Sequence, residues 1–211
     1  MFKKWFGKEE KKERKLTHPR DLLKGDMVQF IDSFALPADL KGETLTVTAV
    51  NTYQYEYEHD TEFVLKGSSA RPVFLNVEEE DGEEWANISI KIQPDDVDAL
   101  FGLDQFADIF DSEALSELER QSEPDEFTRW TGEFYRQTGV PVVGYFYNKD
   151  FRGKTIPQHV EDGGEPLESI ELADGDERFY INIEIWHDGE TDVALTICRP
   201  LTDIIELFPG S

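Results

Sequence analysis

The stretch Phe179-Tyr180-Ile181-Asn182-Ile183-Glu184-Ile185-Trp186, with His187-Asp188-Gly189-Glu190 and Thr191-Asp192-Val193-Ala194-Leu195-Thr196-Ile197-Cys198 behind it, decides the fold. Phe179, Ile181, Ile183 and Ile185 alternate with Tyr180, Asn182, Glu184 and Trp186, the period of two expected of a strand with one apolar face. Val193, Leu195 and Ile197 alternate in the same way. A two-residue turn at Asp188-Gly189 would pair Ile183 with Ala194 and set the two apolar rows on opposite faces. A three-residue loop, His187-Asp188-Gly189, pairs Ile185 with Thr191, Ile183 with Val193 and Ile181 with Leu195. The rows then match, and Gly189 takes the left-handed position of a bulged hairpin.

The same unit recurs upstream. Phe74-Leu75-Asn76-Val77-Glu78, Asp81-Gly82-Glu83 and Ile88-Ser89-Ile90 echo Tyr180-Ile181-Asn182-Ile183-Glu184, Asp188-Gly189-Glu190 and Leu195-Thr196-Ile197. Each unit runs on to a proline, Pro94 or Pro200, and to a stretch that closes on Leu100-Phe101-Gly102 or on Leu207-Phe208-Pro209-Gly210. Proline at a first helical position and glycine just past the end predict a short helix in both places. Further strands are expected at Met27–Ile31, around Leu45, Val47 and Ala49, along the row Tyr53, Tyr55 and Tyr57, and at Phe63–Leu65, Val73–Val77, Phe134–Gln137, Val142–Tyr147 and Ile170–Leu172. Residues 104–130 read as helical, with Phe106, Ile109 and Phe110 on one face followed by Leu115 and Leu118. The sequence therefore predicts an α+β, mostly β chain: a basic arm (1–16), a β-rich half (17–103), a helical connector (104–131) and a second, related β-rich half of antiparallel hairpins (132–211) ending in a short helix.

Charge divides the chain unevenly. Residues 1–15 carry seven Lys/Arg against three Glu, a net of +4, and the whole chain is −25, which leaves −29 for residues 16–211. An acidic body with its few cations scattered argues against direct nucleic-acid binding, which needs clustered Lys/Arg. It suits cationic partners: polyamines, metal ions or basic protein segments. With 15 Phe, 7 Tyr and 4 Trp the chain is too aromatic for disorder. One cysteine, Cys198, excludes an intrachain disulfide and fits a reducing compartment. The N-terminus lacks the apolar stretch of a secretory signal, so the expected location is the cytoplasm, with peripheral contact at an inner membrane.

Two sites are singled out by charge. On a helix Phe2, Trp5 and Phe6 would share a face ringed by Lys3, Lys4 and Lys8, as an interfacial contact with an anionic membrane or with a partner requires. A net +4 contributes at most about 4 kcal/mol at such a surface, a weak and reversible contact. The alternative is a mobile tail, or an arm whose aromatic residues dock on the body while its lysines meet the acidic surface. The second site is Glu78, Glu79, Glu80, Asp81, Glu83 and Glu84, six carboxylates around Gly82, which could attract a cation or simply be solvated. They lack the alternate-position spacing of an EF-hand loop. No metal or cofactor motif and no catalytic constellation is expected: the four histidines have no paired spacing, and Cys198 reads as a packing residue on a strand.

Leu23-Lys24-Gly25-Asp26-Met27-Val28, Thr46-Val47-Thr48-Ala49-Val50-Asn51-Thr52-Tyr53 and Leu75-Asn76-Val77-Glu78-Glu79-Glu80-Asp81-Gly82-Glu83-Glu84-Trp85 resemble the YjfK-like family of uncharacterised bacterial proteins, over most of the chain after residue 16. The resemblance implies no activity and no site residues. Through genes that lie near those of phage-shock-protein-A-like proteins and glutathionylspermidine-synthase-like enzymes, it implies a role in membrane stress or polyamine metabolism. Together the expectations are a non-enzymatic accessory protein that binds a protein partner, or alternatively a polyamine or small-cation binder or an enzyme acting on such a substrate.

Overall fold

The computed structural model describes residues 14–56, 58–111, 115–157 and 163–210. The arm residues Phe2, Lys3, Lys4, Trp5, Phe6 and Lys8, and also Tyr57 and His159, lie outside the described residues. The strands are β1 (Met27–Phe30), β2 (Thr44–Gln54), β3 (His59–Lys66), β4 (Val73–Glu80), β5 (Glu83–Ile92), β6 (Glu117–Glu119), β7 (Phe134–Gln137), β8 (Val142–Tyr147), β9 (Glu165–Asp174), β10 (Phe179–Trp186), β11 (Thr191–Pro200) and β12 (Ile204–Phe208). Two helices, α1 (Pro94–Phe101) and α2 (Leu103–Asp111), follow β5.

Two antiparallel meanders, β2-β3-β4-β5 and β8-β9-β10-β11, meet along two seams. At one seam β5 pairs with β11; at the other β2 pairs with β8 through Thr52↔Tyr147, Tyr53↔Phe146 and Gln54↔Tyr145. The two seams close eight strands into an antiparallel barrel. β1 and β12 continue the sheet from the first half of β2, and β7 and β6 continue it from the end of β9.

The β10–β11 hairpin has the register that its alternation dictates: Ile185↔Thr191, Ile183↔Val193 and Ile181↔Leu195. Gly189 has φ +89°, and its N–H donates to Trp186 O at 2.9 Å. The β4–β5 hairpin turns in two residues, with positive φ at both Asp81 (52°) and Gly82 (82°), and pairs Glu80 with Glu83. The strands of the two hairpins then meet symmetrically: Ile88 faces Ile197, Ser89 faces Thr196 and Ile90 faces Leu195.

The rows that include Leu75, Ile88, Ile181 and Leu195 form one apolar cluster with Leu22, Val28 and Phe30, with Val97, Leu100 and Phe101 of α1, and with Phe127, Trp130 and Tyr135. Both halves thus share a single core. Helix α1 starts where Pro94 fixes the first turn and Asp96 Oδ2 accepts from Gln93 N (2.9 Å). It ends at Gly102, φ +76°.

Two expectations fail. The stretch after Pro200 is a single 3-10 turn (Leu201–Asp203) and then strand β12, not a C-terminal helix. The β-branched Ile204 and Ile205 favour an extended chain, and β1 offers an open edge, so Phe30 pairs with Ile204 and Met27 with Phe208. The connector 104–131 is helical only as far as Asp111; Leu118 sits on β6 opposite Tyr135 and the 3-10 turn Asp125–Phe127 follows. Pairing with β7 and burial of Leu118 outweigh the helical spacing of Leu115 and Leu118.

Candidate functional site in the barrel lumen

The barrel's other face is polar and points inward. Tyr53 on β2 donates its hydroxyl to Glu184 on β10 at 2.7 Å. These strands are three steps apart round the ring, about 14 Å at normal strand spacing. Side chains diverge on a convex surface, so only the concave side brings them together. Phe146 on β8 likewise reaches Trp186 on β10, ring centroids 5.7 Å apart. The cross-strand registers put Asn51, Tyr53, Asp60, Glu62, Phe74, Asn76, Glu78, Asn87, Ser89, Lys91, Glu171, Asn182, Glu184, Asp192 and Thr196 on this face.

One part of the lumen already holds an ammonium group. Lys91 Nζ donates to Glu184 (2.9 Å) and Asp192 (2.6 Å) and lies 5.7 and 5.6 Å from the ring centres of Phe74 and Trp186. Burial lowers its pKa, but the two carboxylates more than offset this and hold it above the ordinary lysine value. Carboxylates combined with aromatic faces are the chemistry that binds alkylammonium ions. Below it, Tyr53, Tyr55 and Phe146 pack together, and Tyr55 lies so close over Gly144 that a Cβ there would sit 2.7 Å from its ring.

A second group of acceptors has no such cation. Asn51 is 5% exposed; its Nδ2 donates to Glu62 Oε1 at 2.8 Å, which fixes the orientation of the amide. Asn51 Oδ1 then has no hydrogen-bond partner. The same arrangement recurs where Asn87 Nδ2 donates to Glu78 and Asn87 Oδ1 is unpartnered. Among the described residues no Lys, Arg or His lies within ion-pair distance of Glu62. Burial pushes the Glu62 carboxyl up to about 7; the Asn51 amide and the charge of Lys91 pull it down, and Glu184 raises it. Burial and the neighbouring carboxylates Glu58 and Glu78 also raise Asp60. Glu171, exposed on the same row, accepts hydrogen bonds from Thr138 Oγ1 (3.2 Å) and Asn182 Nδ2 (3.2 Å).

The six carboxylates grouped in the sequence are separated by the strand pairing. Glu78 is exposed opposite Trp85 and accepts from Asn87 Nδ2 at 2.8 Å. Glu84 accepts from His18 Nε2 (2.9 Å), which holds its carboxyl below the ordinary value, and Glu79 pairs with Arg20. Glu80, Asp81 and Glu83 are exposed at the turn. Among the described residues no group of three or more His, Cys, Asp or Glu is placed to hold a metal ion. Cys198 faces Asn87 across the β5–β11 seam, well away from the His187 loop; burial and then Glu78 and Glu80 push its thiol up to about 11. Such a thiol is a poor nucleophile at neutral pH. No helix among the described residues is long and apolar enough to cross a membrane.

Asn51, Glu62, Lys91 and Glu184 had no signal in the sequence beyond being the polar members of alternating strands. The equivalence of Asn76 and Asn182 in the two hairpins was the one available hint that the polar rows matter.

The fold and lumen define a closed, eight-stranded antiparallel barrel with an acidic, aromatic interior. Compared with known protein families, with curated proteins and with solved structures, the chain matches none of them.

Proposed function

We propose that the protein is a binding protein, an accessory rather than an enzyme, whose barrel lumen takes a small alkylammonium ligand of the polyamine class. The observation that carries this reading is Asn51 Oδ1, a buried acceptor without a partner beside the uncompensated Glu62 carboxyl. A ligand that satisfies both must bring hydrogen-bond donors and positive charge together, which an ammonium group does. Lys91, held between Glu184, Asp192, Phe74 and Trp186, is a covalent example of the same recognition a short way round the lumen. The sequence-level acidity of the body supports the same ligand class but would attract any cation; the lumen adds geometry.

Calorimetric titration with 1,4-diaminobutane and spermidine at physiological salt tests the reading. Saturable binding that falls at least tenfold in Asn51→Leu is the expected result. Heat that disappears in physiological salt, or is unchanged in Asn51→Leu, would mean counterion condensation on the acidic surface and would overturn it.

A further inference from the structure

Away from the lumen, a surface groove runs between the strand β12, the tip of the β4–β5 hairpin and the segment Leu16–Pro19. Its apolar floor includes Trp85, Leu201, Ile205 and Leu207, and Glu83 and Glu206 stand on its rim. Ile205 is 53% exposed, at the bulge where the register of β12 with β1 skips from Glu206 to Ile204. Among the described residues β12 pairs with β1 alone, so its other edge is open, blunted by its five-residue length, its bulge and the charge of Glu206 but not covered. The groove is thus apolar in the middle, acidic at the rim and bounded by an unpaired strand edge.

The first eight residues have the complementary chemistry. Phe2, Trp5 and Phe6 are aromatic, Lys3, Lys4 and Lys8 are basic, and no acidic residue occurs before Glu9. They are also tethered at the site, because Leu16–Pro19 forms one wall of the groove. Arg14, two residues before that wall, is fixed by hydrogen bonds to Asp21 O and to the Asp26 carboxylate. Thirteen residues extend to about 43 Å, whereas the five residues of β12 span about 17 Å. A tether this short presents the arm at an effective concentration of about a millimolar, so a weak contact is populated without high affinity.

We infer that the groove between β12 and the β4–β5 hairpin is the docking site of the chain's own residues 2–8. The aromatic side chains cover Trp85 and Ile205, and the lysines meet Glu83 and Glu206. Docking covers the open edge of β12 and occupies the basic residues that would otherwise be free for another acidic surface.

Fluorine NMR of the full chain labelled with 5-fluorotryptophan tests this. The chain has 4 Trp, and Trp5→Phe assigns the Trp5 resonance. With the arm docked, the Trp5 resonance resists broadening by a soluble gadolinium chelate, and Ile205→Lys makes it severalfold more sensitive. Trp130, 1% exposed, reports in the same spectrum that the variant remains folded. Equal broadening of Trp5 in the two chains overturns the inference. So does protection that is lost on dilution, which assigns the arm to a second copy, or protection that arises only with phosphatidylglycerol vesicles, which assigns it to a membrane.

Discussion

Ser89 Oγ lies 2.7 Å from Thr196 Oγ1 where β5 meets β11, and the strand register is symmetrical about this pair. Thr196 Oγ1 donates onward to Asn182 Oδ1 at 2.7 Å, so the proton between the two hydroxyls comes from Ser89. Thr196→Val keeps the shape of the side chain but strands both the Ser89 hydroxyl and the Asn182 oxygen. It should cost about 1–3 kcal/mol, whereas Ser89→Ala removes only the terminal donor and should cost about 0.5–1.5 kcal/mol. Urea denaturation measures both; a Thr196→Val cost no larger than that of Ser89→Ala counts against a directional relay.

Glu62 makes the protein's stability fall as pH rises. Its carboxyl is raised to about 7 in the folded state from an ordinary 4.5, so folding favours the protonated form. Below pH 4.5 the group is protonated in both states and contributes nothing. Between 4.5 and 7 the unfolded chain ionises while the folded one keeps its proton, so stability falls by about 3 kcal/mol and is constant above that window. Glu62→Gln should therefore stabilise the protein at pH 8 and make no difference near pH 4. Thermal unfolding across that range provides the check, and a gain that is the same at both ends argues against ionisation as its source.

Which face of the sheet would become the inside was not legible in the alternation. Ile181, Ile183, Val193 and Leu195 revealed the strands, the three-residue loop and the register, because a one-residue slip would have split the apolar rows. A period of two separates the faces but does not say which is concave. Closure depends on β8, whose three pairs with β2 join residues more than ninety positions apart, and no local pattern encodes them. In the sequence Asn51, Glu62, Lys91 and Glu184 are therefore indistinguishable from residues of a solvent-facing row. The prolines illustrate the opposite failing: Pro94 and Pro200 both punctuate, yet only Pro94 begins an α-helix, because Ile204–Phe208 had the edge of β1 to pair with.

Asp26 ties the start of the described chain to its end. The carboxylate, 2% exposed, accepts from Arg14, from Leu23 N (2.7 Å) and from Gly210 N (2.7 Å). Burial alone would raise its pKa, but these donors together hold it below the ordinary 3.8. A depressed carboxyl contributes stability above its unfolded value and loses it as pH falls through the folded one. Asp26→Asn should cost about 1.5–3 kcal/mol at neutral pH, with the gap from the parent chain narrowing once the pH drops below 3.8. A gap of constant size in melting experiments through that range would mean that the charge of Asp26 is not what holds the two ends.

Lys91 offers a direct test of whether the lumen recognises ammonium groups. Lys91→Met removes the charge but keeps much of the aliphatic stem, leaving Glu184 with only the Tyr53 hydroxyl and Asp192 with only the Trp186 Nε1 donor at 3.2 Å. Loss of two charge-assisted hydrogen bonds should destabilise the protein by about 1.5–3 kcal/mol at neutral pH. The positive charge of Lys91 also lowers Glu62, so its removal should raise the Glu62 titration midpoint above 7 in carbon-detected NMR. Methylammonium chloride, measured against an equal ionic strength of sodium chloride, should then raise the melting temperature of Lys91→Met more than that of the parent chain, where the Lys91 cage is already filled. If the two salts act alike on the variant, the carboxylates and rings around Lys91 position a side chain but do not recognise the ion it carries.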